Sequence, residues 1–153
     1  MRTKLKVVLG LTTVVLLSLS IGVAEEEKFK ATCPVSGKPA IETSSVEYKD
    51  GLIYLCCDKC PKAFEANTAK FAAKANAQLV ETGQYKQKAC PLTGRKPNSS
   101  QNVSIAGASV DLCCGGCKAK VNKAEGAAKV NLAFSEAAFK KGFEIAKKAK
   151  DKE

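Results

Sequence analysis

The sequence predicts an α+β protein made of two copies of one small unit, each a cysteine-bearing turn, a β-hairpin and a following helix. Three observations carry this. The eight cysteines form two sets, Cys33, Cys56, Cys57, Cys60 and Cys90, Cys113, Cys114, Cys117, and each member of the second lies 57 residues after its counterpart. Their neighbours repeat with them: Cys33-Pro34-Val35-Ser36-Gly37-Lys38 matches Cys90-Pro91-Leu92-Thr93-Gly94-Arg95 in residue class. Short apolar runs around turn residues precede each cysteine cluster, and helical periodicity follows it. Self-similarity at a fixed offset marks an internal duplication, which places the repeats at residues 29–86 and 87–150. A unit this short buries little core, so each copy is expected to need a staple.

The elements follow in order. Pro34, Gly37 and Pro39 make the stretch from Cys33 to Pro39 a tight turn. Val46-Glu47-Tyr48 and Leu52-Ile53-Tyr54-Leu55 flank Lys49-Asp50-Gly51 as a hairpin, and Val103-Ser104-Ile105 and Ser109-Val110-Asp111-Leu112 flank Ala106-Gly107-Ala108 in the same way. Pro61 suits a first helical turn, with Ala63, Phe64 and Ala66 behind it. Thr68 is the expected cap of a helix through Phe71, Ala75 and Leu79. Ser135 is the expected cap of a helix on which Phe134, Ala138, Phe143, Ile145 and Ala149 recur. These apolar side chains are read as core, because that spacing is what packing requires.

Residues 1–24 differ in kind from the rest. Arg2, Lys4 and Lys6 precede an uncharged run from Val7 to Val23, which ends in Gly22-Val23-Ala24 before Glu25-Glu26-Glu27. This is the layout of a secretory signal peptide. It predicts an exported protein, periplasmic or extracellular, with no integral membrane segment after cleavage. An uncleaved anchor is the rival reading of the same run. The formal charge of +10 permits nucleic acid or an anionic membrane as partner. No aromatic–basic motif or compact basic block accompanies it, so the lysines are read as a solvated surface and nucleic acid is not an expected partner.

The chemistry lies in the cysteines, since the chain has no histidine. A metal site needs thiolates converging on a point about 2.3 Å from each, supplied by turns and helix starts. Cys56 ends a strand and Cys60 follows one helical turn later, so both can face one way, and the hairpin returns them beside the turn of Cys33. The expected ligand sets are therefore Cys33, Cys56, Cys60 and Cys90, Cys113, Cys117, with sulfurs within about 4 Å of one another. The helix start at each cluster is expected to lower the thiol pKa values. Cys57 and Cys114 are expected to point elsewhere unless they supply an additional ligand or a disulfide. Soft thiolates without imidazole favour copper(I), zinc, cadmium or mercury over magnesium or calcium, and Zn2+ or Cu+ is the expected ion.

At these residues the chain resembles the TRASH and YHS domains, which are implicated in heavy-metal trafficking, resistance and sensing. The spacing Cys-x22-Cys-x3-Cys and the stretch from Tyr48 through Cys56 and Cys60 to Phe64 carry the resemblance over about residues 33–80 and 90–135. It implies two tandem treble-clef-like units, with the same six cysteines as ligands and a metal-handling protein as a possible partner. The chain departs from the YHS opening, Asp-Pro-Val-Cys-Gly. Ser36 and Thr93 stand where a second knuckle thiolate would be, and are read as turn hydroxyls bonded to backbone. Each three-thiolate site is then open, or is completed by Cys57 and Cys114 or by water.

Two other readings remain beside this one. In an oxidising compartment all eight thiols could pair as disulfides in a stapled interaction module, although vicinal cysteines fit disulfide geometry poorly. Cys57-Asp58-Lys59-Cys60 and Cys114-Gly115-Gly116-Cys117 are also Cys-x-x-Cys motifs, found in thiol–disulfide exchange proteins. Such proteins need βαβ units that a hairpin repeat does not offer. With no histidine for a nucleophile pair and no phosphate loop, the chain is read as a binding protein and not an enzyme.

Overall fold

The computed structural model describes residues 29–146. The expected signal peptide at 1–24, its cleavage point and Ala149 lie outside the described residues. The element order is β1 (Ile41–Tyr48), β2 (Gly51–Leu55), α1 (Lys59–Ala66), α2 (Thr68–Glu81), β3 (Tyr85–Gln87), a 3-10 turn (Ser99–Gln101), β4 (Asn102–Ile105), β5 (Ala108–Asp111), α3 (Gly115–Lys123), α4 (Gly126–Phe134), α5 (Glu136–Gly142) and β6 (Phe143–Ile145). The class is mixed α and β, with three two-stranded sheets among the described residues, β1–β2, β4–β5 and β3–β6. Among the described residues no helix is long and apolar enough to cross a membrane.

Both predicted hairpins form, with antiparallel registers that close on Tyr48↔Gly51 and Ile105↔Ala108. In the second, Ala106 and Gly107 both have positive φ, at 49° and 84°, the type I′ turn whose twist matches its strands. A Cβ on Gly107 would also run into the Glu81 carboxylate. Alternation buries Val103, Ile105, Ala108 and Val110 on one face of β4–β5, and Ile53 and Leu55 on β2, as half-buried strands require.

Helix α2 is central. It packs against β2, β3, β5, α1, α4 and α5, and Ala75 through Leu79 are buried without a break. A helical stretch buried on all sides must satisfy its polar groups internally. Asn76 Nδ2 donates to the Phe134 carbonyl at 2.9 Å and to Glu136 Oε1 at 3.1 Å. The Phe134 carbonyl is at the C-terminus of α4, where helix carbonyls lack an intrahelical partner, so Asn76 stabilises the break between α4 and α5. Glu136 also accepts from Tyr48 Oη at 3.2 Å and pairs with Lys49 at 2.8 Å, joining the first hairpin to α5. Burial opposes ionisation of Glu136, but these donors outweigh it and hold its pKa below the usual carboxylate range.

Two expected boundaries are corrected. Asn67 caps α2, its side chain accepting from Lys70 N, and Thr68 is the first helical residue; its hydroxyl instead bonds back to the Phe64 carbonyl at 3.0 Å. Phe143 and Ile145 do not continue a helix from Ser135. The helix ends at Gly142, and β6 pairs with β3 through Tyr85↔Ile145, Lys86↔Glu144 and Gln87↔Phe143. Phe143 is buried as expected, whereas Ile145, expected in the core, is exposed; the unpaired backbone of β3 supplies a stronger demand than the helix can meet.

Residues from both halves share one core cluster, including Phe64, Leu79, Val110, Val121, Phe134 and Phe143. Phe134 stacks on Phe143 at 5.3 Å, and Phe143 on Phe139 at 5.4 Å. Phe134→Ala is expected to destabilise the reduced, metal-free protein by about 3–5 kcal/mol. Denaturant unfolding followed by tyrosine fluorescence and circular dichroism checks this. The two probes should shift together, because the core is continuous.

Candidate metal centres

Each centre begins at a turn that the chain makes twice. Cys33 N donates to Lys38 O at 2.8 Å and Gly37 N to Cys33 O at 2.8 Å; the corresponding bonds, Cys90 N to Arg95 O and Gly94 N to Cys90 O, are 2.8 and 2.7 Å. Gly37 and Gly94 take φ of 75° and 76°, the left-handed region where a side chain is strained. The turn directs backbone N–H groups at its own cysteine sulfur. Burial opposes ionisation of Cys33, but the Ser36 hydroxyl and the amides of Ser36, Cys56 and Val35 outweigh it and lower its pKa to about 7. Cys90 is likewise lowered to about 7, against burial, by the Thr93 hydroxyl and the amides of Cys113, Thr93 and Leu92.

The strand end and helix start complete the set. Cys33, Cys56 and Cys60 have sulfurs within 4.8 Å of one another, and so have Cys90, Cys113 and Cys117. This is slightly wider than the expected 4 Å, but the helix-side pairs are closer: Cys56–Cys60 is 3.6 Å and Cys113–Cys117 is 3.7 Å. Two sulfurs on one tetrahedral ion with bonds of ~2.3 Å stand about 3.8 Å apart, so the donor sets fit a thiophilic ion after a small contraction. All eight cysteines are free thiols.

Two expectations about the sulfurs are corrected. The helix starts lower the exposed-side Cys57 and Cys114, whose sulfurs accept from the Lys59 and Cys117 amides, but they do not lower the buried Cys60 and Cys117. Burial and the hydrogen bonds that these thiols make to neighbouring sulfurs push both up to about 12. In a crowded cluster one thiolate is favoured and the adjacent thiols donate to it, so a metal replaces protons already shared among the sulfurs. Nor does Cys57 point elsewhere: its Sγ is 3.5 Å from Cys60 and 3.8 Å from Cys56. Cys114 Sγ is 3.7 Å from Cys113 and 3.8 Å from Arg95 Nη2. The chain turns from strand into helix between these residues, and that bend brings adjacent side chains to the same side.

The hydroxyls do more than the turn requires. Ser36 Oγ accepts from Lys38 N at 3.2 Å and lies 3.1 Å from Cys56 Sγ; Thr93 Oγ1 accepts from Arg95 N at 3.4 Å and lies 3.3 Å from Cys113 Sγ. Each supports a sulfur while holding its turn.

The residues that join turn to strand were not among the expected ones. The fully buried Gln78 accepts from Tyr54 N at 2.7 Å and donates to Tyr54 O at 2.7 Å and Thr32 O at 2.9 Å. Gln87 accepts from Asp111 N at 2.8 Å and donates to Asp111 O at 2.6 Å and Ala89 O at 2.9 Å. Tyr54 and Asp111 are equivalent under the 57-residue offset, as are Thr32 and Ala89, yet the two glutamines come from different places, α2 and β3. Each amide binds the residue before the turn cysteine to the strand two residues before the next cysteine. Gln78 carried a signal in the sequence, a polar residue on the face shared by Phe71 and Ala75. Gln87 carried none.

No known family, curated protein or solved structure matches the chain.

Gln78→Met removes the amide at nearly constant volume and strands three part-buried backbone groups. It is expected to cost at least ~2 kcal/mol and to weaken metal binding at the first centre while sparing the second, measured by denaturation and by metal titration. In the reduced, metal-free chain, Cys33 should pass from thiol to thiolate as pH rises through 7. The ultraviolet thiolate absorbance of the wild type should therefore exceed that of Cys33→Ser by one thiolate at pH 8 and by little at pH 6.

Proposed function

We propose that this is an exported binding protein for a thiophilic metal, Zn2+ or Cu+, acting in metal trafficking, storage or resistance. One ion is held by Cys33, Cys56 and Cys60, the other by Cys90, Cys113 and Cys117, in two tandem treble-clef-like units of the TRASH and YHS kind. The observation that carries the proposal is the occurrence of two sulfur triads of one construction, each drawn from a turn, a strand end and a helix start. Sulfur ligands without imidazole select soft ions by chemistry rather than by size. The hydroxyls of Ser36 and Thr93 and the amides that face Cys33 and Cys90 orient the donors and favour their ionised form.

Binding stabilises the fold, because the unfolded chain has no assembled site: free metal at a hundred times the dissociation constant adds about 2.7 kcal/mol per site. The test is metal content after reduction and reconstitution under anaerobic conditions. The wild type should hold two equivalents, and Cys33→Ser, Cys56→Ser or Cys60→Ser should each hold one while the second centre remains loaded. Unchanged stoichiometry in all three, or no metal in the wild type, overturns the reading.

A further inference from the structure

The first centre contains two overlapping sulfur triads. The inner one uses the fully buried Cys33 with Cys56 and Cys60. The outer one uses the same pair with the exposed Cys57, and its three separations are 3.8, 3.5 and 3.6 Å. These lie at or just below the ~3.8 Å edge of a tetrahedral thiolate set, so the outer triad needs no larger rearrangement than the inner. Cys56 and Cys60 form an edge that both share. An ion can therefore rotate about that edge from the buried sulfur to the exposed one without leaving its other two ligands.

The geometry points to Cys57 as an exchange ligand, through which the first centre takes up and releases its ion at the protein surface. The inference rests on the metal-binding reading above, with the ion as cargo. In the release step a metal–sulfur bond forms to Cys57 as the bond to Cys33 breaks. The proton that Cys57 loses on binding passes to Cys33 as its bond to the metal breaks, and the metal keeps its oxidation state. A thiolate or chelating acceptor then attacks the ion from the exposed side, where Cys57 lies. Ordinary four-sulfur ligation would require Cys57 to be a permanent donor, and the two roles have opposite kinetic consequences. Loss of a permanent donor speeds release, whereas loss of an exchange ligand slows it.

The second centre is an internal comparison. Its counterpart, the half-buried Cys114, lies beside the Arg95 guanidinium; a neighbouring cation stabilises a thiolate, so this centre is expected to release its ion less readily. Lys38 occupies the corresponding position in the first half.

The experiment loads the full chain with two equivalents of Zn2+ and follows transfer to 4-(2-pyridylazo)resorcinol by stopped-flow absorbance, in wild type, Cys57→Ser and Cys114→Ser. Cys57→Ser should keep two equivalents at equilibrium and release one of them at least tenfold more slowly than the wild type. Cys114→Ser should leave that rate unchanged. Release from Cys57→Ser at the wild-type rate overturns the inference, as does faster release or the loss of one equivalent, which makes Cys57 a permanent ligand. Failure of the wild type to bind zinc or copper(I) is a separate result that removes the metal reading itself.

Discussion

The structure depends on holding a turn against a strand. A thiol on a tight turn and two thiols at a strand–helix junction are separated by 22 residues of sequence, and nothing in a two-stranded hairpin fixes their distance. The side-chain amides of Gln78 and Gln87 supply that constraint. A carboxamide presents an acceptor and two donors in one plane, and here it pairs with both backbone groups of one strand residue and the carbonyl before the turn cysteine. It covers an open strand edge and sets the spacing of the sulfurs in the same contact.

Helix α2 extends this logic to the whole molecule. It carries Gln78 toward the first hairpin and Asn76 toward the break between α4 and α5, while its apolar residues enter the common core. The centres are thus mounted on a rigid interior and not on the loops alone. Buried amides with all groups paired cost little and position much; an unpaired one costs the full desolvation of its atoms. Asn76 Oδ1 is the one buried side-chain polar atom without a partner among the described residues, a modest cost beside the two bonds made by its Nδ2.

The two centres share a construction but not an electrostatic setting. Arg95 lies close to the second cluster, and the charges of Cys113 and Cys114 raise its pKa. Around the first, Asp58 and Lys59 stand where the second has Gly115 and Gly116. A set of thiolates on a soft ion carries net negative charge, so a nearby guanidinium stabilises it and a nearby carboxylate does not. On the metal-binding reading proposed above, two triads of the same construction would in this way hold the same ion with different tenacity.

The cysteine offset, the two turns, both hairpins and the helix start at Pro61 were legible in the sequence, because each depends on local chemistry: glycine at positive φ, alternation along a strand, proline in a first helical turn. From these alone the grouping of Cys33 with Cys56 and Cys60, and of Cys90 with Cys113 and Cys117, could be reasoned. What tertiary structure decided were the relations between segments. Phe143–Ile145 became a strand because β3 needed a partner, and Cys57 turned toward the cluster because the chain bends there. Gln78 and Gln87 reached the same hydrogen bonds from unrelated positions, because a buried strand edge accepts any amide that can reach it and no sequence offset records which one does.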